Sequence, residues 1–304
     1  MIAPVAPNPV KAALWVVGAT LAFCTMAISG REAGRELSTA DLLVWRSYFG
    51  FAATLVFIAF SASGFQQIKT ERLGLHFARN MFHFAGQYCW YAAVVLIPLA
   101  QVFALESTSP VWVMLLAPFL LDERFSRWKV LAVGLGFLGM LLIVKPGVVE
   151  ITDGTVWAFT AAFGFAGTII TTKRLSKTES ALCVLFYMTL MQAPVGMIIT
   201  GGFPAIPSTP ALWAWTVGLA FGGLAAHYCL TRAYALADAT LVVPLDFMRL
   251  PMIAVVGLLA YNESIDLAVI IGGALIVFGN VMNIRAEAKH RRAQSHETVA
   301  PATP

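Results

Sequence analysis

The chain has 304 residues, 59% of them hydrophobic and only 12% charged, with a formal net charge of +4 and a mean hydropathy of +0.78. A soluble domain carries roughly 25% charged residues, so half that share over this length excludes a soluble globule and points to an integral membrane protein. The positive excess sits in short connecting segments, so it speaks to membrane orientation rather than to nucleic acid.

Crossing the hydrocarbon takes about 20 mostly apolar residues. Ten such runs follow one another: 12–29, 41–61, 75–97, 99–121, 128–145, 155–172, 180–200, 211–235, 239–260 and 266–284. They are continuous rather than alternating and too long for barrel strands, so each predicts a helix. The first is preceded only by Lys11 and followed by many more spans, which favours a retained helix over a cleaved leader. Residues 285–304 are basic, then polar with prolines, and read as a disordered cytoplasmic tail at the membrane surface.

Lys and Arg set the orientation. With the N-terminus inside, the inner segments hold Lys11; Lys69, Arg72 and Arg79; Arg124, Arg127 and Lys129; Lys173, Arg174 and Lys177; and Arg285, Lys289, Arg291 and Arg292. The outer loops hold only Arg31, Arg35 and Lys145. Cytoplasmic loops carry the basic excess, so both ends are expected in the cytoplasm.

The chain also repeats itself. A shift of 140 lays "YCWYAA" (88–93) on "YCLTRA" (228–233), Glu106 on Asp246 and Glu123 on Glu263. A shift of 142 lays Trp15 on Trp157 and Phe23 on Phe165. Five spans per copy is an odd number, so the second copy enters the membrane upside down. The expected fold is therefore all-α, ten transmembrane helices in two inverted five-helix repeats, 12–145 and 155–284, with the substrate near the midplane between them.

The ordered set of "LVWRSYFG", "PLAQVFALESTSPVW", "LLDERFSRWKVLAVGLGFLGMLLIV", "YALADATLVVPLDFMRLP" and "YNESIDLAVIIGGALIVFG" resembles the EamA-type permeases of the drug/metabolite transporter superfamily. The likeness covers about residues 12–285. It implies a bacterial inner-membrane permease that works by alternating access without an ATPase domain. Cargoes associated with that family include riboflavin, amino acids and S-adenosylmethionine, handled inward or outward.

Apart from charges at the run ends and Arg79, counted above with the inner segments, five charged residues fall inside the runs: Arg46, Arg232, Arg249, Glu106 and Asp246. Central charges cost about 2.5–3.5 kcal/mol each on insertion scales, so they face a cavity or one another. Asp246 and Arg249 are three apart, on one helical face and close enough to pair. Such a pair either pins its helix to its neighbours or opens to take substrate or a proton. Glu106 has Ser109 rather than a base three residues on, so Arg46 or Arg232 is the expected partner. Pro110, Pro244 and Pro251 interrupt helical bonding near these charges, which suits either a wet cavity or a packing kink.

Asn80, His83, Gln87 and Tyr91 form a polar stripe along one helix, and His227, Thr231 and Tyr234 continue it on another beside Arg232. Four polar residues in line suggest a surface facing water or ligand. The two histidines leave proton coupling open, and hydrogen bonding alone would also explain them. Tyr88, Trp90, Tyr91, Phe103 and Phe247 offer stacking faces or simple packing.

Cys24, Cys89, Cys183 and Cys229 sit singly in apolar runs, which reads as small buried hydrophobes rather than metal ligands. Gly134, Gly136, Gly139, Gly222 and Gly223 fit close helix approach, and no phosphate loop is present. HExxH, GxSxG and cysteine–histidine metal patterns are all absent, which weighs against an intramembrane enzyme and implies no cofactor. A channel or structural protein would not need matched acids in two opposed halves. Three arginines against two acids suit a neutral, zwitterionic or weakly anionic cargo better than a cationic one. Riboflavin uptake is the leading expectation, ahead of amino acids or S-adenosylmethionine; the oligomeric state is not readable.

Overall fold

The computed structural model describes residues 8–106, 108–121, 127–144, 151–238, 241–242, 245, 248–262, 267–268, 270–279, 281–282 and 285–286. Asp246, Glu123, Glu263, Pro244, Phe247 and nearly all of the tail lie outside them. Among the described residues every regular element is helical.

The helices are α1 (Pro9–Ala33), α2 (Thr39–Ala59), α3 (Leu73–Leu96), α4 (Leu99–Glu106), α5 (Ser109–Leu120) and α6 (Arg127–Val144). There follow α7 (Asp153–Leu175), α8 (Ala181–Thr200), α9 (Pro210–Leu236), α10 (Arg249–Tyr261) and α11 (Ile270–Gly279). A short 3₁₀ helix, Gly64–Ile68, precedes α3. Of these, α1, α2, α7 and α8 are long and apolar enough to cross a membrane. α3 and α9 are as long, with 24 and 27 residues, but carry the polar stripes.

Local chemistry fixes where the helices begin. Asn8 accepts from the Lys11 N–H ahead of Pro9, Ser38 from Asp41, Ser180 from Cys183, and Thr209 from Leu212 ahead of Pro210. Each side chain satisfies an orphan donor of the first turn, worth about 1 kcal/mol. Gly201, at φ 73°, ends α8 in the left-handed region that favours glycine.

The helices pack in antiparallel pairs. Asn8 donates its backbone N–H to Leu236 O, while Gly218 meets Ser29, so α1 runs against α9. α3 runs against α7, with Arg79 beside Thr172 and Leu96 beside Gly154. α2 runs against α8, with Val44 on Gly196 and Gly50 on Thr189. A close backbone approach joins Gly86 and Gly164, where a Cβ on Gly164 would lie 2.6 Å from the Gly86 Cα. Of the glycines expected to serve packing, Gly139 meets Gly272, Gly222 meets the Met26 backbone, and Gly134 faces open space.

The run expected as one span at 99–121 is broken: α4 ends at Glu106 and α5 begins at Ser109. Backbone bonding around this break recurs 140 positions later. Ile97→Ala93, Val102→Pro98 and Thr108→Leu105 match Ala237→Ala233, Val242→Asp238 and Met248→Leu245. A shift of 142 does the same for the turn after α1, where Gly34→Gly30 and Leu42→Ser38 match Ser176→Thr172 and Val184→Ser180.

Polarity is reversed relative to a soluble protein. Arg46, Arg79, His76, Asn80, His83, Gln87 and Gln192 are buried, while Leu14, Phe57, Phe119, Ile198 and Leu259 are exposed on the outside. That distribution suits a molecule solvated by lipid.

Candidate functional site

α3 and α9 bring their polar stripes into the middle of the bundle. His83 Nε2 and His227 Nε2 stand 2.8 Å apart, so one donates to the other. Gln192 of α8 reaches His83 Nδ1 at 2.7 Å and donates to Asn80 Oδ1 at 3.1 Å. Arg79 donates through Nε to Thr172 Oγ1 and through Nη1 to Asn80 Oδ1. The result is a buried network tying α3 to α7, α8 and α9. Asn80 and His83 thus have protein partners in this network.

Farther along α3, Gln87 and Tyr91 line a cavity of about 50 Å³ together with His227, Thr231 and Tyr234. Its aromatic wall comes from Phe23, Trp90, Tyr91 and Phe165. Arg46, from α2, lies behind this wall against Gly223 and donates through Nη1 to Gln87 Oε1 at 3.3 Å. That bond turns the Gln87 amide nitrogen away from Arg46. Gln87 Nε2 is buried without a hydrogen-bond partner, and the Tyr91 hydroxyl lies beside the Arg46 guanidinium, so its oxygen can accept while its O–H is left to donate. An unsatisfied buried donor costs roughly 1–3 kcal/mol, which a hydrogen-bonding cargo would recover.

The two broken helices meet at the cavity edge. Arg249, the first residue of α10, donates through Nη1 to Glu106 Oε1 at 2.7 Å, and Trp90 Nε1–H donates to Glu106 Oε2 at 2.8 Å. The Arg249 guanidinium also lies over the Phe23 ring at 4.0 Å. Both ionised side chains are nearly excluded from solvent, at 6% and 11% exposure.

Several expectations need correcting. The partner of Glu106 is Arg249, rather than Arg46 or Arg232, because the break after Glu106 points its carboxylate across to α10. Arg232 is exposed and stacks over Trp15 at 5.5 Å, away from the cavity. Arg79 and Lys173, counted with the cytoplasmic loops, are buried. Lys173 donates to Tyr234 O and Ala237 O, neutralising carbonyls left open where α9 ends. Sequence reasoning missed Arg79, Thr172 and Gln192; a glutamine inside an otherwise apolar run was the available signal for the last. Asp246 lies outside the described residues, and its expected pairing with Arg249 with it.

A model of the EamA-like transporter family matches residues 10–145 and again 152–285. The riboflavin transporter of Brucella anthropi is 26% identical over 279 residues, covering 90% of this chain and 98% of that protein. The S-adenosylmethionine uptake transporter of Rickettsia prowazekii is 25% identical, covering 89% of this chain and 91% of that protein. A solved crystal structure shares the fold with a TM-score of 0.73 at 19% identity, over 93% of this chain and 98% of the other.

Proposed function

The chain belongs to the EamA-like transporter family, and from that premise we propose that it carries riboflavin into the cell by alternating access. That it is a membrane transporter and no enzyme follows from the family and the named relatives. The cargo, the direction and the architecture below are our reading.

In this reading ten spans form two inverted five-helix halves in a bacterial inner membrane, with both ends cytoplasmic. The turn after α1 and its counterpart after α7 support the inversion. The first meets the α8–α9 connection through Glu36 and Ser208, the second meets the α2–α3 connection through Thr70 and Glu179. A 20-residue helix, α8, separates those two ends by about 30 Å. The helix pairing agrees, since α1 on α9 and α3 on α7 are one contact seen twice under such symmetry. Discontinuous helices facing each other at the repeat interface are where transporters place their cargo.

One observation carries the substrate choice: the buried Gln87 Nε2, an unpartnered donor, stands with the Tyr91 hydroxyl beside the aromatic wall of this cavity. A flat heteroaromatic ring bearing carbonyl oxygens would stack on Phe23 and Trp90 while those donors take its oxygens. The Glu106–Arg249 pair favours a second reading, an amino acid or S-adenosylmethionine, whose carboxylate and cationic centre could replace the two partners. The His83–His227 pair is the group in this reading that would hold a coupled proton.

The deciding test is growth of a riboflavin auxotroph lacking its own importer, beside labelled riboflavin, S-adenosylmethionine and amino-acid flux in proteoliposomes. Saturable riboflavin flux supports the reading. Flux of amino acids alone would replace it with the second.

A further inference from the structure

Among the described residues outside the cavity, His76, Glu179 and Cys183 form a cluster that the proposed transport does not use. His76 opens α3, Glu179 stands just before α8, and Cys183 is in the first turn of α8. The Cys183 Sγ lies 3.3 Å from Glu179 Oε2 and 4.0 Å from His76 Nε2, and one ligand atom from each residue lies within 4.8 Å of the others. From these contacts we propose that His76, Glu179 and Cys183 form a binding site for a divalent ion of the zinc class.

The distances suit that ion. Bonds of about 2.3 Å to sulfur and about 2.0–2.2 Å to nitrogen and oxygen place tetrahedral ligands roughly 3.3–3.6 Å apart. The sulfur is already near that spacing from both partners, and rotation of the Glu179 side chain closes the rest. A mixed imidazole, thiolate and carboxylate set selects zinc-like ions over magnesium or calcium, which prefer oxygen alone.

The surroundings point the same way. The His76 ring is wholly buried, yet its Nδ1 has no partner and its Nε2 is turned to the Cys183 sulfur. Tyr187 packs on that ring at 4.4 Å between centroids and is itself anchored by donating to Ile68 O. Thr70 donates to Glu179 Oε1 at 2.7 Å, which orients the carboxylate and leaves Oε2 toward the sulfur. Such outer-shell support is what holds metal ligands in place. Glu179 is only half-buried, which gives the ion a way in. Three protein ligands leave the fourth position to water. On binding, the Cys183 S–H gives its proton to water and the sulfur bonds the metal, so one proton is released from the thiol.

The i, i+4 spacing of Glu179 and Cys183 was visible in the sequence, but the third ligand comes from α3, more than 100 positions away. An ion here would link α3 to α8 at this end of the bundle.

The test uses the purified full chain in nanodiscs with Co²⁺ as a spectroscopic probe and Zn²⁺ as competitor. We expect a thiolate-to-cobalt charge-transfer band with the intense visible bands of four-coordinate cobalt, both erased by Zn²⁺. Cys183→Ser should abolish the charge-transfer band, and His76→Ala should weaken cobalt binding at least tenfold. A chain with Cys24, Cys89 and Cys229 all changed to Ser should keep the band, which guards against misfolding of the Cys183 variant. Absence of the band in the wild type, its persistence in Cys183→Ser, or its loss in the triple variant while that variant remains folded would overturn the assignment.

Discussion

Changing Glu106 to Gln is the most informative single perturbation of the site. The substitution keeps the side-chain shape and an acceptor for Trp90, but removes the charge that faces Arg249 at 2.7 Å. At an effective dielectric of about 20, unit charges about 4 Å apart attract by roughly 4 kcal/mol. Breaking one side of a buried pair typically costs about 3–5 kcal/mol, because the remaining charge is stranded. We therefore expect Glu106→Gln to lower the unfolding free energy in detergent by about 3 kcal/mol and to abolish transport. The double variant Glu106→Gln/Arg249→Met removes both charges of the pair and should recover part of that stability. It should still fail to transport. Thermal and denaturant unfolding of both variants, read beside flux in proteoliposomes, gives the two quantities separately. A cost below about 1 kcal/mol for the single variant would refute the buried-pair argument. Wild-type flux in the double variant would show that the pair only pins helices.

Three other substitutions probe the packing around the cavity. Gly223→Ala puts a Cβ 2.6 Å from the Arg46 Nε, so Arg46 must shift and release Gln87; labelled-substrate kinetics should show KM rising at least fivefold with expression unchanged. Gly164→Ala sets a Cβ against the Gly86 backbone at 2.6 Å and should cost about 1–3 kcal/mol, read as a lowered Tm of the detergent-solubilised protein. Lys173→Met removes an ammonium that donates to two carbonyls where α9 ends, and unfolding measurements should show a loss of about 1.5–3 kcal/mol.

The helices were legible because they are apolar runs, and α1, α2, α7, α8 and α9 each begin at a polar side-chain cap; Ser38 and Ser180 mark the same turn in the two copies. The 140-residue repeat was legible too, and the backbone bonds around Thr108 and Met248 follow it. What escaped was the direction each charge faces. Arg232, near the end of α9, looks outward, whereas Arg79 in α3 and Lys173 in α7 look inward. Hydropathy averages over a full helical turn and so carries no such information. The i, i+3 rule suggested Asp246, which lies outside the described residues, as a partner within the span for Arg249. Its bond to Glu106 joins residues 143 positions apart, which only the pairing of the two broken helices could bring together.

Arg35 and Lys177 are both exposed and stand 142 positions apart in the matching turns after α1 and α7. Each changed to Cys in a background lacking the four native cysteines, they can be labelled in intact cells with a membrane-impermeant maleimide. Opposed halves enclosing a central cavity predict that Arg35→Cys reacts from outside, whereas Lys177→Cys reacts only after the membrane is opened. Equal labelling of both positions in intact cells would contradict the account.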